Sequence, residues 1–152
     1  MGSTTAAGTT LAIGATAPAT DDAAGYGALS LTEIGGVEKI GAIGASFAKI
    51  EFKPLKGPVE KHKGSVDYGS LQPSIAHDDS DAGQTLLRTA SDDATSKLYP
   101  VCVTYPDGAK RYFQGRVFGY PETADGADSI LMANPVIEIS TKVVKVAAPV
   151  GP

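Results

Sequence analysis

The sequence predicts a mainly β domain whose strands pair antiparallel and which contains one α-helix. Three observations lead to this prediction. Several runs alternate apolar and polar residues with a period of two, as half-buried strands do. Glycine and proline supply 18 and 10 of the 152 residues, which allows many turns. Only one segment has the pattern of an amphipathic helix. Parallel strands need crossover connections, usually helices, and one helix is too few for a parallel sheet.

The first clear strand signal covers residues 48–53. Ala48, Ile50 and Phe52 fall on one face of the predicted strand, and charged residues fall on the other. This alternation predicts a half-buried strand with its apolar face against a core.

Two further segments carry strand signals. Residues 98–120 predict a hairpin, because alternating apolar residues flank a Pro-Asp-Gly turn sequence. Residues 129–146 predict one or two last strands, interrupted at Asn134 and Pro135.

The predicted helix covers residues 81–91. Asp81 is a suitable N-cap, and Gln84 three residues later is placed to reach back as in a capping box. Ala82, Leu86 and Ala90 share one face, which indicates a short amphipathic helix that packs on a sheet.

The chain is long enough for one domain, which we place at residues 26–146. Residues 1–25 are rich in Ala, Thr and Gly and predict a flexible N-terminal arm. This arm is either disordered or ordered on a neighbouring subunit, although Thr9–Ile13 within it has the composition of a short strand. Residues 147–152 predict an exposed C-terminal tail.

Composition argues against several classes of protein. The formal net charge of −4 is unlike that of proteins that grip nucleic acid with a basic face. A single cysteine allows no intrachain disulfide. The first residues lack the charge and apolar run of a signal peptide, and no stretch approaches the ~18 apolar residues that span a bilayer. We therefore expect a protein made in a cytoplasm, without a membrane partner.

The sequence offers little for catalysis. Cys102 lies between two valines of a predicted strand, where a small core residue is expected. His62 and His77 have no metal-ligand spacing, and no nucleophile motif accompanies His77 and its neighbouring aspartates. The glycines of residues 35–44 do not match a dinucleotide or phosphate loop. We expect no enzymatic activity, no metal and no cofactor.

A lysine-rich segment, residues 54–68, is predicted to be a loop because Pro54 and Gly57 interrupt regular structure. It forms a local basic patch in an acidic protein. Two interpretations stay open, a solvated loop and a charged contact with another subunit. The second predicts interface residues that pair basic with acidic groups: Lys53, Lys56, Lys61, His62, Lys63, Asp78, Asp79 and Asp81.

Three stretches together resemble the major tail tube protein of long-tailed, non-contractile bacteriophages. They are EIGGVEKIGAIGASFAKIEFKPL, KHKGSVDYGSLQPSIAHDDSDAGQTLL and YPDGAKRYFQGRVFGYPE. None is a catalytic signature, and their order along the chain carries the resemblance, which covers roughly residues 9–146.

The resemblance implies an antiparallel β-sandwich or barrel-like tail-tube fold with one flanking α-helix, in a structural virion protein of the phage tail. Copies of the chain, expected in sixes, would close into a β-barrel ring, and stacked rings would form a tube. The implied partners are further copies of the chain, the tape-measure, tail-tip and tail-terminator proteins, and DNA that passes the lumen without specific binding. Many tail tube proteins carry an extra immunoglobulin-like domain, which we do not expect here.

Two alternatives remain. A related virion part, such as a tail terminator or head–tail joining protein, would form one ring without polymerising. A monomeric β-sandwich binding module would share the short strands and turns. The absence of tryptophan from the sequence disfavours a sugar-binding face.

Overall fold

The structure, a computed structural model, describes residues 3–149, which contain two helices and thirteen strands. Residues 150–152 of the predicted tail lie outside the described residues. The helices are Ala23–Gly27 (α1) and Ala82–Asp92 (α2). The strands are Thr10–Ile13 (β1), Thr32–Glu33 (β2), Val37–Lys39 (β3), Ser46–Phe52 (β4), Glu60–Asp67 (β5), Ser70–Leu71 (β6), Ser74–Ala76 (β7), Tyr99–Thr104 (β8), Lys110–Gly119 (β9), Glu122–Thr123 (β10), Met132–Ala133 (β11), Val136–Ile139 (β12) and Val144–Val146 (β13).

The strands form three antiparallel sheets. The largest has the order β2-β1-β8-β9-β12-β6, with β13 also paired to β9. A four-stranded sheet has the order β10-β11-β7-β3, and β4 pairs with β5 in a separate hairpin. The mainly β, antiparallel prediction is confirmed, with α1 as a second, short helix that the sequence pattern did not indicate.

The core lies between one face of the large sheet, the small sheet and α2. Alternate residues of β1 and β8 point into it, among them Leu11, Ile13 and Val103, which are fully buried. Phe113 from β9 and Leu87 from α2 complete its centre. The period-two pattern of the sequence therefore selects the buried face of this sheet.

The hairpin of β8 and β9 follows the local sequence signals. Tyr105 accepts a hydrogen bond from the amide of Gly108, and Gly108 adopts a φ of 97° that favours glycine. The Asp107 carboxylate accepts the Ala109 amide at 2.9 Å and closes the turn. The predicted hairpin is confirmed.

Helix α2 begins where the sequence predicts. The Asp81 carboxylate accepts the amide of Gln84 at 3.0 Å and that of Gly35 at 3.1 Å. The buried face differs from the prediction, because Ala82 is exposed and Gly83 is buried instead. A Cβ on Gly83 would lie 2.2 Å from the Glu33 carbonyl, so this close approach requires glycine.

The Gln84 side chain does not reach back to Asp81, so this part of the predicted capping box is wrong. Its amide nitrogen donates to the carbonyls of Gly35 and Ala76 at 2.8 and 2.9 Å. Its oxygen accepts the Asp78 amide at 2.8 Å and the Tyr120 hydroxyl at 3.1 Å. The buried side chain thus joins α2 to three other parts of the chain, at Gly35, at residues 76–78 and at Tyr120. Tertiary contacts override the local cap.

The expectation of a flexible arm over residues 1–25 is corrected for part of that segment. Thr10–Ile13 pairs with β8 along its whole length, and Leu11 and Ile13 are buried. Asp22 caps α1, and Tyr26 stacks on Tyr112 with ring centroids 5.0 Å apart. Burial of these few apolar side chains fixes the segment on the domain, although its overall composition is that of a linker. The domain boundaries themselves stay a prediction.

Candidate assembly interface

The hairpin of β4 and β5, here called the projecting hairpin (residues 46–67), stands apart from the other sheets. Its two strands pair only with each other among the described strands. Every residue of β4 is exposed, and so is every residue of β5 except Gly64. Both outer edges of the hairpin therefore present unpaired backbone groups.

This hairpin corrects the prediction of a loop over residues 54–68. The Glu60–Asp67 segment is charged and has weak strand propensity, but pairing with β4 imposes the strand. The bend itself is confined to residues 53–59, where Pro54 and Pro58 flank a Gly57 with φ of 113°.

The two faces of the projecting hairpin differ in chemistry. One face carries Ile50 opposite His62 and Phe52 opposite Glu60. Gly64 leaves room on this face, since a Cβ there would lie 3.0 Å from the Ile50 side chain. Ile50 and Phe52 are 54% and 57% exposed. The alternation over residues 48–53 is confirmed, but the predicted burial of its apolar face is wrong for the single chain, because no described residue covers it.

The opposite face is basic. Lys49 lies opposite Lys63, and Glu51 lies opposite Lys61. Lys49 pairs with Glu51 at 2.9 Å, and the Lys63 ammonium lies 4.8 Å above the ring centroid of Phe47. These contacts are exposed and contribute little to stability, which leaves the positive charge available to a partner.

The structure gathers the basic half of the predicted interface on one element. Lys53 and Lys56 lie in the bend, and the other three basic residues lie on β5, where His62 is 3.5 Å from Glu60. The single chain does not bring these residues together with the predicted aspartates. Their role in assembly stays a prediction.

The predicted acidic residues instead make contacts within their own chain. Asp81 is the helix cap described above. The Asp78 carboxylate accepts hydrogen bonds from the hydroxyl and amide of Ser80, which lower the pKa of Asp78. Asp79 lies 2.7 Å from the buried His77 ring. Asp78 and Asp79 are nevertheless exposed, and the role of the three aspartates in assembly stays a prediction.

The side chains considered for chemistry have structural surroundings. Cys102 is buried beside Tyr26 and Tyr112, and burial raises the pKa of its thiol. His77 lies between Asp79 and Glu122, with its Nδ1 3.3 Å from the latter. Within residues 3–149, no three metal-ligating side chains cluster as a metal site would require.

Sequence reasoning missed the apolar part of the candidate interface. Ile50 and Phe52 were assigned to a half-buried strand and Leu55 to a loop, and Phe47 was not assigned, yet all four are among the exposed large apolar side chains. The signal was present: a Pro- and Gly-containing bend between two charged, alternating runs predicts a hairpin with few core contacts.

No helix among the described residues is both long and apolar enough to cross a membrane.

Comparison with known proteins gives structural matches alone. No family model matches the chain, and no curated protein matches its sequence. A chain of the cryo-EM structure of the PVC sheath/tube terminator, from an extracellular contractile injection system in its extended state, aligns with a TM-score of 0.72. The two sequences are 8% identical, and the alignment covers 97% of this chain and 99% of that one.

Two further structures share the fold. A chain of the six-fold symmetrised baseplate of the anti-feeding prophage aligns with a TM-score of 0.68 and 9% identity, over 97% of this chain and 99% of that one. A chain of the extended PVC sheath–tube complex aligns with a TM-score of 0.64 and 11% identity, over 91% and 88%. At these identities the likeness shows a common fold.

Proposed function

We propose that this chain is a structural subunit of a phage-tail-like particle and acts by assembling with copies of itself into stacked rings. The observation that carries the proposal is the projecting hairpin, whose apolar face has no cover in the single chain. A folded protein keeps such a face when a partner covers it. Chains of sheath–tube, terminator and baseplate assemblies share this fold. Their likeness supports a partner with the same fold, such as a second copy of this chain.

The sheets also support closure between subunits. The longest free edges belong to the projecting hairpin, because β4 and β5 have seven and eight residues and pair only with each other among the described strands. Pairing an edge of one copy with an edge of the next would remove exposed backbone groups and continue a sheet around a ring. A ring of six such copies is the arrangement we propose.

The stacked rings would form a conduit for DNA and a tape-measure protein within a virion tail. A strongly basic lumen would retain DNA, which carries a charge every ~1.7 Å along its axis. The net charge of −4 is compatible with passage. Tail-tip and terminator proteins are the further partners proposed, and no step of this function requires catalysis.

The tail type is a separate question. Sequence resemblance favours the non-contractile tail tube family, whereas two of the three structural neighbours come from an extracellular contractile injection system. Both kinds of tube are compatible with the described fold, and the non-contractile assignment stays a prediction.

A second candidate function is a terminator that forms one ring. It is favoured by the alignment with a chain of the PVC sheath/tube terminator, which covers nearly all of both chains. Light scattering and negative-stain electron microscopy of the purified protein distinguish the candidates. Long tubes support the tube subunit, and isolated rings support the terminator. A protein that stays monomeric at millimolar concentration would overturn both and favour a binding module.

The basic face of the hairpin can be tested by charge reversal. Replacing Lys61 and Lys63 with Glu should reduce assembly while the monomer stays folded by circular dichroism. Wild-type assembly should also weaken with added salt, since the contacts are exposed. The matched control reverses Lys142 and Lys145, two exposed lysines away from the hairpin. Equal assembly of both variants and the wild type at every salt concentration would show that the basic face is solvated surface.

A further inference from the structure

An open groove of about 740 Å³ is lined by residues that lie outside the projecting hairpin. It runs between the N-terminal segment, the edge strand β3 with the residues that follow it, and the turn between β8 and β9. Its floor is apolar, formed by side chains that include Val37, Ile40, Ile43 and Tyr105.

Charge at this groove is predominantly acidic. Glu38 and Asp107 line it, with Lys39 as the one basic residue among its lining. Glu38 and Asp107 are exposed, and the described residues supply neither of them with a salt bridge. One edge of β3 is paired with β7, and the other edge is unpaired.

The tip of the projecting hairpin has the opposite character. Leu55 at its apex is fully exposed, and Val59 and Phe52 flank it with about half of their surface in solvent. Lys53 and Lys56 lie on either side of Leu55 and are exposed. Because β4 has seven residues, the tip lies about 23 Å from the base of the hairpin.

We propose that this groove receives the hairpin tip of a second copy of the chain. Leu55 would enter the apolar floor, and Lys53 and Lys56 would face Glu38 and Asp107. The apolar contact supplies most of the affinity, and the charges set the orientation of the tip. The inference rests on the proposed self-assembly and assigns two further surfaces that it would use.

Because tip and groove are different surfaces of one chain, the contact is head-to-tail. Such a contact leaves a free groove on one subunit and a free tip on the other, so that it continues into a ring or a filament. A two-fold symmetric dimer would instead use one surface twice. This difference gives the proposal a test that does not depend on the size of the final assembly.

The test uses two full-length variants that each lose one surface. The tip variant carries Leu55→Asp and Lys56→Glu, and the groove variant carries Ala7→Arg and Glu38→Lys. All four residues are exposed, so circular dichroism and thermal unfolding should match the wild type. Each variant alone should require at least about tenfold more protein to assemble than the wild type.

Mixing the two variants completes the test. The tip variant retains an intact groove and the groove variant an intact tip, so an equimolar mixture should form a one-to-one complex by analytical ultracentrifugation. Each variant at the same total concentration is the control and should remain monomeric. A groove variant that assembles at the wild-type concentration, or a mixture with no complex, would overturn the groove assignment while self-assembly stands. A monomeric wild type would overturn both.

Discussion

The exposed apolar face of the projecting hairpin gives the most direct prediction about assembly. Replacing Ile50 and Phe52 with Thr removes apolar surface and keeps a residue that favours strands. Because both side chains are more than half exposed, the change should weaken association without unfolding the monomer.

The expected magnitude follows from the exposure of the two side chains. Full burial of an Ile or Phe side chain contributes about 1.5–3 kcal/mol, and roughly half of each surface remains available to a partner. Burial of 54% of Ile50 and 57% of Phe52 in an interface then contributes about 1 kcal/mol each. The double variant should lose about 2 kcal/mol of association free energy, equivalent to about a 30-fold rise in the dissociation constant.

Light scattering across a concentration series measures this shift, and urea unfolding of the dilute monomer measures folding. The free energy of unfolding should change by less than about 0.5 kcal/mol. Leu87→Ala is the contrasting control, because Leu87 is fully buried and its truncation should cost about 2–5 kcal/mol of monomer stability. If the double variant assembles within threefold of the wild-type concentration (about 0.6 kcal/mol), the apolar face is not an interface and the reasoning fails.

Three further predictions concern the folded monomer. Gln84→Leu should lower the free energy of unfolding by about 3 kcal/mol in urea, since it leaves four partners without a hydrogen bond. Tyr120→Phe removes only one of the bonds to Gln84, together with longer contacts to Arg88 at 3.5 Å and His77 at 3.4 Å, and should cost about 1 kcal/mol. Equal losses would contradict this. Cys102→Ser should leave assembly intact and lower the free energy of unfolding by about 1–2 kcal/mol. Thiol labelling of the folded wild type should be slow, because burial raises the pKa of the thiol. Rapid labelling would argue against a core role. Hydrogen bonds from Thr95, and then from Tyr99, lower the pKa of Asp93 to about 2, so the stabilisation by this carboxylate should be complete above about pH 4 and lost as the pH falls towards 2. Asp93→Asn should flatten the fall of the unfolding temperature over that range, and an unchanged profile would refute it.

Local sequence signals predicted the elements whose stability is local. The turn at Asp107 and Gly108 and the alternation on either side of it fix the β8–β9 hairpin without reference to the rest of the chain. Asp81 fixes the start of α2 in the same way, because an N-cap acts on amides within its own turn. These features depend on residues within a few positions of one another.

Strand β1 could not be assigned firmly from local sequence signals. Its four residues lie in a segment of small residues, and only pairing with β8, about ninety positions away, buries Leu11 and Ile13. Gln84 shows the same limit, since its expected local bond is replaced by bonds to carbonyls of β7 and the β2–β3 connection. Long-range pairing decides such cases because it offers buried polar and apolar groups better partners than the local chain does.

By itself the sequence determined a mainly β, antiparallel domain with a capped helix, a basic segment and no recognisable catalytic motif. The tertiary structure alone decided which alternating strands face the core. Ile50 and Phe52 have the same period-two pattern as Val101 and Val103, yet the first pair faces solvent and the second is buried. The physical reason is that alternation specifies two chemically different faces of a strand, whereas burial depends on which other surface comes to cover the apolar one.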